Sequence, residues 1–140
     1  MAIAQMNWGR MRHPLDDPRM AEFAGALDDV YRAAEAQDGF IWRIPDEEGA
    51  GQLTALGHDA LISATVSVWT NVAALRRYTF MTQHGQYLER AAEWFEPVEG
   101  PQLVIWDVAS NARPSFKEAF NRLDHLRMHG PSAVAHGWPS

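Results

Sequence analysis

The stretch from Leu61 to Trp69 limits the possible folds more than any other part of the chain. Strand side chains alternate between two faces, so Ile62, Ala64, Val66 and Val68 share one side, and Ser63, Thr65, Ser67 and Trp69 share the other. The first set calls for helices packed over it. The second set places hydroxyls beside an indole, as a strand does when that face lines a pocket or a subunit contact. Two helices follow, carrying Tyr78, His84, Trp94 and Phe95.

Residues 3–8 read as a short strand with Ile3, Gln5 and Asn7 on one face and Ala4, Met6 and Trp8 on the other. Asp17 can cap a helix opened by Pro18, after which Met20, Phe23, Leu27, Val30, Tyr31 and Ala34 recur at spacings of three and four. Phe40 to Ile44, between Gly39 and Pro45, reads as a strand, and the acidic stretch 46–59 as a loop with a short extended piece around Gln52 to Leu56. After the 61–69 strand, Thr70 or Asn71 caps a helix containing Val72, Leu75 and Tyr78. A second helical stripe joins His84, Tyr87, Leu88, Ala91 and Phe95. Gln102 to Ala109 gives a further strand, with Leu103, Ile105 and Asp107 opposite Val104, Trp106 and Val108.

Residues 114–128 then form an added C-terminal helix with Phe116, Ala119, Phe120, Leu123 and Leu126 as its apolar stripe, and 129–140 an extended tail. The order is that of the split β-α-β motif: an α+β, ferredoxin-like antiparallel sheet with helices on one face. The other face is then bare. A second copy would cover it, giving a homodimer that encloses a barrel-like chamber.

The 140 residues fit one domain, 1–140, large enough to bury a core without staples. Cysteine is absent, which excludes disulfides, thiolate metal sites and cysteine nucleophiles. With no basic, apolar leader and no long apolar run, the expectation is a soluble, cytoplasmic protein. A formal charge of −6 with Lys117 as the one lysine argues against nucleic-acid and anionic-membrane partners. Six tryptophans can serve as core or as ligand walls.

Several motifs, in order, resemble the bacterial DUF3291 proteins: Met6-Asn7-Trp8, Asp17-Pro18, Gly39-Phe40-Ile41-Trp42-Arg43, Ser67-Val68-Trp69, His84, Glu93-Trp94-Phe95, Trp106, Arg113-Pro114 and Leu126 through Pro131. The resemblance spans nearly the whole chain. It implies the dimeric α+β barrel superfamily, which includes antibiotic-biosynthesis monooxygenases, haem-degrading enzymes, muconolactone isomerases and stress-responsive barrel proteins. It passes on a fold more firmly than an activity. Where family members end in an aromatic-rich extended piece, this chain has Ala135-His136-Gly137-Trp138.

His84 is the first catalytic candidate, an imidazole available as acid, base or ligand; a histidine on such a stripe also serves as packing or cap. Arg43 can hold a carboxylate, enolate or phenolate if its strand face looks into the chamber, and otherwise pairs with Asp or Glu. Asn7 and Gln5 offer amide hydrogen bonds, and Ser63, Thr65 and Ser67 offer hydroxyls. Trp69, Tyr78, Trp94, Phe95 and Trp106 are candidate apolar walls.

No metal site is expected: His125 and His129 lie four apart where a helix is ending, and zinc spacings are absent. The leading expectation is an enzyme without bound cofactor. It would act on a small apolar, aromatic or polyketide-like molecule by oxygenation, isomerisation or cyclisation. The alternatives are a haem-binding barrel with His84 as axial ligand, or a non-catalytic small-ligand module.

Overall fold

The computed structural model describes residues 1–139. Four strands, β1 (Ala2–Arg10), β2 (Phe40–Arg43), β3 (Ile62–Trp69) and β4 (Leu103–Val108), form one antiparallel sheet in the order β2-β3-β1-β4. Five helices accompany it: α1 (Ala21–Glu35), α2 (Asp46–Ala55), α3 (Val72–Met81), α4 (Gln83–Glu89) and α5 (Phe116–His129). This is the α+β class and the ferredoxin-like strand order expected from the sequence. No helix among the described residues is long and apolar enough to cross a membrane.

Register fixes which side chains share a face. Gln5 lies opposite Ser67 and Ile105, and Met6 opposite Val66 and Val104. Ala4, Met6, Val66, Val68, Val104 and Trp106 therefore form one apolar face, which is buried against Phe116, Ala119 and Leu123 of α5. The opposite face carries Ile3, Trp69 and Ile105, packed against Val30 and Ala34 of α1 and Ala74, Leu75 and Tyr78 of α3.

Helices thus cover both faces, which corrects the expectation of a bare one. The helices over the apolar face are α2 and α5, while α1 and α3 sit over the face that bears Ser67. Strand alternation sorts residues into two sets, but it carries no information about which set each helix will cover. The face expected to be bare is covered by α1 and α3, and the added helix α5 lies on the apolar face.

The acidic stretch after Pro45 is helical instead of looped, forming α2. Asp46, Glu47 and Glu48 occupy its first turn, where negative charge meets the positive end of the helix dipole. A Cβ on Gly49 would stand 3.1 Å from Phe116 Cε2, and Gln52 Oε1 accepts from the Phe116 backbone N–H at 2.8 Å. With no apolar stripe of its own, α2 is held by docking on the start of α5. The expected 84–95 helix is shorter: α4 stops at Glu89 and a 3₁₀ turn spans Ala91–Glu93.

The tail is not free. Ile105 and His136 exchange backbone hydrogen bonds of 2.7 and 2.9 Å on the outer edge of β4, and Ala135 is fully buried. Because Phe116 is 2% exposed and joins α5, α2 and the sheet, Phe116→Ala should lower unfolding stability by about 3–5 kcal/mol. Urea denaturation measures this.

Candidate functional site

Between the Ser67 face of the sheet and helices α1, α3 and α4 lies a cavity of about 570 Å³, lined by this one chain and open at one end. Its floor is polar: Gln5, Asn7, Ser63, Thr65 and Ser67 all line it. The floor runs from a buried end, where Gln5 is 3% and Ser67 7% exposed, to an open end at exposed Asn7. Side chains of Phe23, Val30, Phe40, Leu75, Tyr87 and Leu103 supply apolar cover. Such a mix of apolar walls and a few convergent polar groups is the usual character of small-molecule sites.

One wall is a row of rings. Trp69 stacks on Tyr78 with centroids 5.4 Å apart, and Tyr78 meets His84 at 5.0 Å. Phe40 closes on the far side of Trp69 edge-on at 5.4 Å. Phe95 packs edge-on against Phe23 at 5.2 Å. It lies so close over Gly9 that a Cβ there would come within 2.7 Å of its ring.

His84 stands at the end of the Trp69–Tyr78 row, at the start of α4, whose cap is Thr82. Its Nδ1 is 3.0 Å from the Thr79 carbonyl oxygen. A carbonyl can only accept, so Nδ1 carries the proton and Nε2 keeps its lone pair. No partner for Nε2 exists among the described residues. Burial lowers the pKa, opposed in part by the Thr79 carbonyl, which favours the charged ring. Neutral imidazole with a free Nε2 is the form that can take a proton. Tyr78, by contrast, is pushed up by burial and its hydroxyl donates to the Val30 carbonyl at 3.3 Å.

The family model for a domain of unknown function, DUF3291, matches residues 2–140. The chain belongs to the DUF3291 family. No curated protein and no solved structure matches it.

The DUF3291 cavity gathers His84, Asn7, Gln5, Ser63, Thr65, Ser67, Trp69, Tyr78 and Phe95 from the sequence candidates. Arg43 is also in its wall, with its Nη1 engaged and its Nε buried without a hydrogen-bond partner among the described residues. Nη1 donates to Asp46 at 2.9 Å, Nε lies 3.8 Å from Glu35, and the group covers the Tyr31 ring at 4.3 Å. The paired arginine is the reading that the geometry supports.

Two candidates are not in the cavity. Trp106 is fully buried on the opposite face, because it pairs with Ala4 and shares that residue's side; Arg122 lies 5.6 Å from its ring. Trp94 is 3% exposed and packs with Met11, Met20 and Phe23 behind the wall, with Arg90 4.8 Å from its ring.

Sequence reading missed Phe23, Tyr31, Thr79 and Leu103 as lining residues, and the tail's Trp138. The apolar stripe of α1, which includes Phe23 and Tyr31, was a signal for those two. Trp138 had no periodic signal; it arrives because the tail docks on β4, and it meets Phe80 at 5.4 Å.

His84 should titrate below the ordinary histidine value of 6.5. The unfolded chain binds that proton at higher pH than the folded one, so stability rises with pH across the interval and is lost as pH falls through the lowered value. Imidazole NMR shifts measure the pKa; His84→Gln should flatten that part of the pH–stability curve.

Proposed function

We propose that the cavity binds a small, largely apolar aromatic or polyketide-like molecule and that His84 transfers a proton to or from it without a bound cofactor. The supporting observation is the fixed tautomer of His84, with Nδ1 tied to Thr79 and Nε2 without a partner among the described residues, in a residue that lines a cavity of about 570 Å³. Nε2 would remove a proton from carbon next to a carbonyl, or from a phenol. The C–H or O–H bond breaks, an N–H bond forms, and the electron pair moves onto the substrate oxygen. Isomerisation and ring closure proceed from that anion with no further reactant, and oxygenation proceeds with dioxygen as co-substrate. The chamber belongs to a single chain, so the reading needs no second copy.

Haem is the less favoured occupant. His84 has the arrangement of a metal-ligating imidazole, with the other ring nitrogen on a carbonyl. Haem propionates also need cations, and of the two wall arginines Arg43 already pairs with Asp46 while Arg12 is exposed at the rim. Titrating hemin into the protein gives a His84-dependent Soret band only if this second reading holds.

The direct test is deuterium uptake at the α-carbon of 2-tetralone in D2O, followed by NMR. Wild-type protein should accelerate exchange over buffer, and His84→Ala should lower the protein-dependent rate by about 10²-fold or more. Equal rates for both proteins remove His84 as the base.

A further inference from the structure

The polar floor contains one hydroxyl whose neighbours fill both of its accepting positions. Trp69 Nε1 donates to Ser67 Oγ at 2.8 Å, and Gln5 Nε2 donates to it at 2.7 Å. Asn7 Nδ2 donates to Gln5 Oε1 at 3.2 Å, which turns the Gln5 amide nitrogen toward Ser67. An indole nitrogen can only donate, and so can an amide nitrogen, so both lone-pair directions of Ser67 Oγ are occupied. The hydroxyl retains its own proton, for which no acceptor exists among the described residues. Accepting two bonds polarises that O–H toward donation, by roughly 10–30% per bond.

We propose that the Ser67 hydroxyl is the donor that seats a carbonyl or phenolic oxygen of the ligand, so that the chamber selects neutral aromatic ketones and phenols. This rests on the chamber reading above and names the chemistry that it recognises. The floor around Ser67, made of Gln5, Asn7, Ser63 and Thr65, carries amides and hydroxyls, and Arg43 stands opposite Ser67 on β2. Of the arginines in the wall, Arg43 is paired with acids, and Arg12 is exposed with its Nε donating to the Ala92 carbonyl at 3.0 Å. A carboxylate seated at Ser67 would have to compete with Asp46 and Glu35 for Arg43 to be neutralised, whereas a neutral oxygen needs only the one donor. Trp69, which holds Ser67, also begins the row of rings that ends at His84. The oxygen donor and the base thus flank one aromatic wall, and negative charge created at the ligand oxygen by proton removal would develop against the Ser67 hydroxyl.

Three probes of one shape separate the terms: 2-acetylnaphthalene, its oxygen-free isostere 2-isopropenylnaphthalene, and 2-naphthoate, each titrated into the protein and followed by NMR. Ser67→Ala and Ser67→Cys should each weaken the ketone by about 3- to 10-fold, the effect of one hydrogen bond, and leave the isostere within about twofold. The cysteine variant keeps a sulfur for Gln5 and Trp69 to approach, and unchanged isostere binding reports an intact chamber. Wild-type protein should bind the ketone at least about tenfold more tightly than 2-naphthoate. Ketone binding that is the same in wild type and both variants overturns the Ser67 assignment while leaving the chamber reading standing, as does tighter binding of 2-naphthoate. Failure of both the ketone and the isostere to bind wild-type protein overturns the two together.

Discussion

The pairing that sets Gln5 opposite Ser67 and Met6 opposite Val66 is the constraint on which everything else rests. Because strand side chains alternate strictly, a one-residue slip of β1 past β3 would carry Gln5 into the α5 core, turn Met6 into the chamber and take Gln5 away from Ser67. That slip would bury the Gln5 amide among Phe116, Ala119 and Leu123 with no partner, at a cost of about 1–3 kcal/mol for each polar group left unsatisfied. The native register lets the same residues bond to each other. The polar strip is therefore both a candidate recognition surface and a reason that β1 and β3 align as they do.

The two layers divide the labour. On the α5 side the packing is dense, and Val68, Val104, Trp106, Ala119 and Leu123 have no exposed surface. On the α1–α3–α4 side, helices stand off the sheet around a chamber, and large rings bridge the gap in place of close-packed aliphatic groups. A cavity of that size lacks the dispersion contacts that a filled core provides. The opposite face supplies close packing that this side gives up, and α2 and the docked tail extend that packing at its margins.

Much of this was legible in the chain. The alternation in β3 sorted Ser63, Thr65, Ser67 and Trp69 onto one surface, and the order of elements gave the ferredoxin-like sheet. His84 and the amide pair Gln5 and Asn7 were identifiable as chemistry-bearing groups. Trp106 was misplaced even though parity was available, because its face depends on being paired with Ala4 rather than on its aromatic character. Trp94 lies next in sequence to Phe95, yet one ring fills core and its neighbour faces the chamber. Helix α2 gave no periodic signal at all, since Gly49 acts through its closeness to Phe116, far away along the chain.

By itself, the sequence determined the strands, their two faces, the family and the set of polar groups on one side, because alternation and capping are local properties read within a few residues. Tertiary structure decided that α5 covers the apolar face and that α1, α3 and α4 leave a chamber over the other. It also decided that Arg43 Nη1 is bound to Asp46, while among the described residues His84 Nε2 and the Ser67 proton meet no partner. Those outcomes depend on which groups distant in the chain meet, and a partner's lone pair or charge determines whether a polar atom is satisfied or available.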